Sequence, residues 1–220
     1  MLLEIACFNL ESCLIAQTAG ANRIELCENY KAGGITPSEN LILEARQQLK
    51  IDLFVMVRPR EGNFVYSNSE FEEMKSQILF CKKNNCNGIV FGILNQENKV
   101  DKDRCKELVE LAKPMSCTFH RAFDEIENSE TAMSEIIECG FLRILTSGKH
   151  KNAIEGVNLI CNLIQKTQGR IIVMPGGGIR SSNISELISK TRAQEFHSAA
   201  IIDESEKANE NEIRNILKVF

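Results

Sequence analysis

Strand-like and helix-like runs alternate eight times along this chain, at intervals of roughly 25 to 30 residues, and no other feature constrains the fold as strongly. The strand candidates are Leu2–Cys7, Arg23–Cys27, Asp52–Val57, Gly88–Phe91, Met115–Phe119, Leu142–Leu145, Arg170–Met174 and Gln194–His197. The helix candidates are Leu10–Ala19, Pro37–Leu49, Ser69–Lys83, Asp101–Ala112, Ser129–Cys139, Ala153–Thr167, Ser182–Lys190 and Glu204–Lys218. Gly20 and Gly140 stand where helix C-caps belong. Ser69 and Glu72 carry the spacing of a capping box. Strict alternation implies parallel strands joined by crossover helices. Eight repeats imply a closed (β/α)8 TIM-type barrel, with a doubly wound open sheet as the alternative. No linker or composition shift interrupts the 220 residues, so a single barrel domain over residues 1–220 is expected.

The formal charge of −4, with no basic stripe, argues against a nucleic-acid surface. No apolar run reaches the roughly 20 residues of a membrane span. The N-terminal residues lack the basic segment of a signal peptide. A cytoplasmic location is the expectation. Nine cysteines, none in a C-x-x-C pair, are expected to be reduced thiols buried as small hydrophobes.

Strand parity sorts the side chains further. Residues facing the helices must be apolar, so Leu3, Ile5, Ile24, Leu26, Val55, Val57, Cys117, Phe119, Leu142, Ile144 and Phe196 face outward. That leaves Glu4, Ala6, Arg23, Glu25, Cys27, Met56, Arg58, Thr118, His120, Arg143, Glu195 and His197 facing the barrel axis. Branched apolar residues usually fill that space. Buried charges here must pair with one another. Glu4 and Arg143 lie low on their strands, where a structural ion network is the simplest reading. Glu25, Arg58, His120 and His197 lie at the C-terminal strand ends, the face on which barrel active sites are built.

The stretch Thr118-Phe119-His120-Arg121-Ala122-Phe123-Asp124 places a histidine, an arginine and a carboxylate within five positions. In an extended chain His120 and Arg121 would project to opposite sides. Asp124 would act at the rim or cap the next helix. Thr146-Ser147-Gly148 and Pro175-Gly176-Gly177-Gly178-Ile179-Arg180 follow the sixth and seventh strands, one step earlier than the usual phosphate loops of such barrels. Ser147, Gly148, Gly177 and Gly178, assisted by Arg60, are the candidate anion-binding residues.

Arg23-Ile-Glu-Leu-Cys27, Gly33-Gly34, Thr36-Pro37, Arg58-Pro-Arg60, Tyr66-Ser67, Thr118 to Asp124, Arg143 to Gly148, Met174 to Gly178 and Glu195-Phe-His-Ser198, in that order, resemble the copper homeostasis protein CutC family. The resemblance runs from Glu4 to about Ser198. It implies a TIM-type barrel, a cytoplasmic location, a homo-oligomer and copper handling. It also implies a cysteine two residues after Glu4, facing the match of Cys27 across the mouth; here Ala6 holds that place and Cys7 lies beside it on the opposite parity. Two functions follow. In the first, Cu(I), which prefers thiolate and thioether ligands, is bound at the mouth by Cys27 with Cys7 or His120. In the second, a barrel enzyme works on a small anionic or phosphorylated substrate. His120 is then general acid or base, Glu25 its partner, and Arg58, Asp124 and His197 complete the catalytic set. The partner in either case is an ion or small ligand, not nucleic acid or membrane.

Overall fold

The computed structural model describes residues 1–220. Its strands are β1 (Leu2–Cys7), β2 (Arg23–Leu26), β3 (Asp52–Met56), β4 (Gly88–Phe91), β5 (Ser116–Phe119), β6 (Arg143–Thr146), β7 (Ile172–Pro175) and β8 (Glu195–Ser198). Its helices are α1 (Leu10–Ala19), α2 (Glu39–Gln48), α3 (Asn68–Lys83), α4 (Lys102–Ala112), α5 (Ser129–Cys139), α6 (Val157–Thr167), α7 (Ile184–Thr191) and α8 (Glu210–Leu217). The strands form one parallel sheet in the order β7-β6-β5-β4-β3-β2-β1-β8. The β1–β8 ladder, where Glu4 stands beside His197, joins the first strand to the last, and the nearly closed barrel lacks a ladder only between β7 and β8. The TIM-type barrel expected from the alternation is the observed fold. No helix is long and apolar enough to cross a membrane.

Strand parity holds except at Leu142, which precedes β6 and is exposed rather than packed under the helices. Leu3, Ile5, Ile24, Leu26, Val55, Phe119, Ile144 and Phe196 all join a cluster of 56 buried residues between sheet and helices. A separate small cluster of Cys27, Phe54, Met56 and Val90 lies on the axial side.

Helix ends follow local chemistry. Asn9 caps α1 by accepting the Ser12 N–H, and Gly20 ends it at φ 101°. Gly140 closes α5 in the same left-handed way. The capping box is Ser67–Glu70 rather than Ser69–Glu72. Both pairs have the required spacing, but the Glu70 carboxylate also accepts a 2.6 Å hydrogen bond from Arg60 Nε, which anchors the earlier one. Helix α6 begins at Val157 rather than Ala153, because residues 150–156 fold back as a loop: the Ala153 N–H donates to the Gly177 carbonyl. Helix α8 begins at Glu210, not Glu204, where the Asn209 side chain accepts the Glu212 N–H.

The lower barrel is filled by charge. Arg23 lies between Glu4 at 2.5 Å and Glu195 at 2.6 Å, and Arg143 reaches Glu195 at 2.7 Å. The Phe54 ring receives both guanidinium groups, with Cζ of Arg23 4.7 Å and of Arg143 5.2 Å from its centroid. Gly88 on β4 makes room for that ring, since a Cβ there would sit 2.6 Å from Phe54 carbons.

Candidate functional site

A cavity of about 280 Å3 opens at the C-terminal strand ends. Of the residues singled out from the sequence, Glu25, Cys27, Arg58, His120, Gly177, Gly178 and His197 line it. Cys7, Arg60, Asp124, Ser147 and Gly148 do not.

Each of the second group has another task. Cys7 is fully buried in the apolar layer between strands and helices. Arg60 spends its guanidinium on Glu70 and on the Glu61, Asn63 and Val65 carbonyls. Asp124 accepts hydrogen bonds from Thr146 Oγ1, Ser147 Oγ, Arg121 Nε and the Ser147 and Lys149 N–H groups, pinning the loop after β6. Ser147 Oγ also donates to the His150 carbonyl. Gly148 is required by close approach: a Cβ there would lie 2.3 Å from the Gly156 oxygen.

The floor of the cavity is a carboxylate–imidazole–carboxylate chain. His197 Nδ1 lies 2.7 Å from Glu4 Oε1, and Nε2 lies 3.7 Å from Glu25 Oε2. The three ligand-type atoms fall within 4.8 Å of one another, a grouping that could hold a metal ion. Burial alone would raise the Glu4 pKa, but Arg23 and His197 outweigh it and hold that carboxyl at about 2. Burial opposes the imidazolium of His197, yet Glu25 and Glu4 carry its pKa above the usual value. Glu25 goes the other way: burial dominates and raises its pKa. Its Oε1 is buried with no hydrogen-bond partner, while Oε2 accepts the Cys27 thiol at 3.5 Å. Burial, followed by Glu25, pushes the Cys27 thiol well above its ordinary pKa.

His120 is organised differently. Strand β5 ends at Phe119, and His120 caps a 3-10 turn over Arg121–Glu125. The turn brings His120 and Arg121 to the same cavity, where an extended chain would have parted them. His120 Nδ1 accepts the Ala122 N–H at 3.3 Å. Burial first, then Arg58, lowers its pKa to about 3. The ring is therefore neutral, and with Nδ1 occupied as an acceptor its proton belongs on Nε2. That Nε2 is buried and unpartnered. Phe64 lies against the ring at 4.8 Å between centroids. Arg58 lines the same wall, but Nη1 donates to the Ala32 and Gly34 carbonyls and Nη2 to that of Gly62. It ties two rim loops together and supplies positive charge.

Sequence reasoning assigned no role to Met56, Arg121, Arg180 and Ala199, which also line the cavity. Met56 was legible from parity. Arg180 closes the glycine loop after β7. Ala199 follows β8, so the loops after β7 and β8 both line the cavity, together with those after β2, β3 and β5, while Ser147 and Gly148 after β6 do not.

A parallel barrel with its polar cavity at the C-terminal strand ends defines the class: a TIM-barrel protein. The chain belongs to the CutC family, whose sequence pattern matches residues 1–202. It is 42% identical over 199 residues to the human protein named copper homeostasis protein cutC homolog, covering 90% of this chain and 73% of that one. It is 41% identical over 214 residues to a family protein CutC of Parabacteroides distasonis, covering 96% and 88%. The crystal structure of a copper homeostasis protein CutC from Streptococcus agalactiae superimposes with a TM-score of 0.86 at 32% identity, covering 90% and 98% of the two chains. Phosphoribosyl anthranilate isomerase from Thermotoga maritima shares the fold alone, with a TM-score of 0.67 at 15% identity over 100% of this chain and 98% of that one.

Proposed function

We propose that this chain serves copper homeostasis, the role its relatives' names carry, by holding Cu(I) as cargo at the barrel mouth. The observation that carries this reading is the pairing of soft donors in one cavity: the Cys27 thiol follows β2 and the Met56 thioether ends the neighbouring β3, both in the axial cluster. Cys7 lies outside that cavity, and Met56 is the better second sulfur. The thiol must lose its proton to bind metal, and Glu25 Oε2 is hydrogen-bonded to it, positioned to accept that proton. Nine thiols without a disulfide suit a reducing, cytoplasmic setting. Anaerobic titration with Cu(I) against a competing chelator tests the reading. One tight equivalent is expected, abolished in Cys27→Ser, weakened at least tenfold in Met56→Leu and untouched in Cys7→Ser. Equal binding by wild type and Cys27→Ser overturns it.

A second reading rests on the unpaired Glu25 Oε1 beside His197. A buried carboxyl with a raised pKa, next to an imidazole held in its charged form, is an acid–base pair suited to proton transfer on a small bound ligand. In it, Glu25 and His197 move the proton. The neutral His120 donates from Nε2 to a ligand oxygen rather than shuttling protons itself. A screen of small phosphorylated metabolites for turnover, with Glu25→Gln as control, tests it.

A further inference from the structure

We infer that the β7–β8 side of the cavity is a subsite for the phosphate group of a small phosphate monoester. The inference rests on the second reading for the idea of a ligand with a reacting end, but the subsite itself is carried by different atoms. Strands β7 and β8 are neighbours in the barrel but share no ladder, and the sheet's hydrogen-bonded order ends at these two strands. Past their ends, the N–H groups of Gly177, Gly178 and Ala199 have no acceptor within the protein. All three residues line the cavity. Gly177 and Gly178 sit at φ 93° and 70°, a conformation that L side chains rarely adopt, and a Cβ on Gly177 would lie 3.2 Å from Ser147 Cβ. The backbone is thus bare at the point where a ligand would meet it.

Charge favours the same ligand. The cavity is lined by one carboxylate, Glu25, against three arginines, Arg58, Arg121 and Arg180, in a chain whose net charge is −4. Arg121 is held in place: Nε donates to Asp124 at 2.8 Å and Nη2 to Ser147 Oγ at 2.8 Å. Its remaining nitrogen, Nη1, has no partner in the protein and lies 3.5 Å from where a Gly177 Cβ would be. The loop after β6, which sequence reasoning placed on the anion, instead positions the arginine that would face it. In the same cavity the buried His120 Nε2, 3% exposed as a residue and unpartnered, is a fixed neutral donor. The backbone donors and Arg121 fit the phosphate of a monoester seated by Gly177, whose carbonyl or hydroxyl oxygens would share the cavity with His120 and Glu25. A volume of about 280 Å3 suits a small metabolite and not a dinucleotide.

The test is titration of the full-length protein with inorganic phosphate, followed by 15N–1H amide spectra. Saturable shifts are expected at the Gly177, Gly178 and Ala199 amides, with affinity at least tenfold weaker in Arg121→Gln and unreduced in Lys83→Gln, which removes an exposed cation at the C-terminal end of α3. Absence of saturable shifts at those amides in the wild-type protein overturns the subsite, whatever any variant does. So does phosphate binding that is unchanged in a folded Arg121→Gln. Failure of the acid–base reading looks different: phosphate binds as described, but no phosphorylated compound is turned over.

Discussion

The base and the mouth of this barrel are made from the same residue types and use them in opposite ways. At the base, Glu4, Arg23, Glu195 and Arg143 form a continuous chain of contacts between 2.5 and 2.7 Å around the Phe54 ring. At the mouth, Glu25 keeps a bare Oε1, His120 a bare Nε2 and Arg58 a bare Nε, whereas of the four charged groups at the base only Arg143 has a buried nitrogen, Nη1, without a partner. Paired buried charges hold a fold together, because removing one strands the other in a medium that cannot solvate it. Unpaired ones are costly and persist where a ligand completes them. The difference separates a largely paired layer at the base from the proposed site at the mouth.

The largest effect should come from Arg23→Ala. It leaves Glu4 and Glu195 facing each other with no cation between them, and a loss of about 3–5 kcal/mol is expected in urea unfolding. A loss under ~1 kcal/mol would mean that the base is not the structural layer. The pH dependence is next. Glu4 falls to about 2 in the fold, so its contribution is present above its ordinary pKa of 4.5 and lost as pH drops toward 2. Roughly 3 kcal/mol of stability should disappear across that window, and Glu4→Gln should flatten the profile there. His197 works in the opposite sense. Its raised pKa gives stability that is complete below its ordinary value and is lost as pH climbs through the folded one. Gly88→Ala is smaller again: the new methyl meets the Phe54 ring at 2.6 Å, and overpacking should cost about 1–3 kcal/mol with the cavity above undisturbed.

Much of this was legible in the sequence. Period-2 parity on short strands identified the axial charges, because the outward face of a barrel strand must be apolar and the inward one is then fixed. Cys27 and Cys7 fell on opposite sides for the same reason. What parity could not reach lies beyond the strand ends. Arg121 would point away from His120 if β5 continued as an extended chain, whereas the 3-10 turn brings both to one cavity. Ser147 and Gly148 look like an anion loop in one dimension. In three, Asp124 takes the Ser147 hydroxyl, and Gly156 fills the space beside Gly148. Ala199 carries no sequence signal, since what it offers is a backbone N–H. Ser67 and Ser69 each began a plausible capping box, and only the contact from Arg60, itself a tertiary interaction, decides between them.

Glu25→Gln gives the finest test of the contrast between base and mouth. Burial raises the pKa of Glu25, so its ionised form is the one the fold disfavours. The contribution of such a group to stability is present below its ordinary pKa and lost as pH rises through the folded value. The neutral amide escapes that loss. Glu25→Gln should therefore cost less than about 1 kcal/mol near pH 5 and become the more stable protein as pH rises, a crossing visible in paired thermal melts. His197 keeps Glu4 at 2.7 Å and loses only the longer contact, so the ladder between β1 and β8 should survive. Cu(I) binding should respond too: Glu25 helps hold the Cys27 pKa up, so with a neutral amide beside the thiol the pH dependence of Cu(I) binding should shift downward. A Glu25→Gln protein as badly destabilised as Arg23→Ala would place Glu25 in the structural network, and the division between the two ends of the barrel would fail.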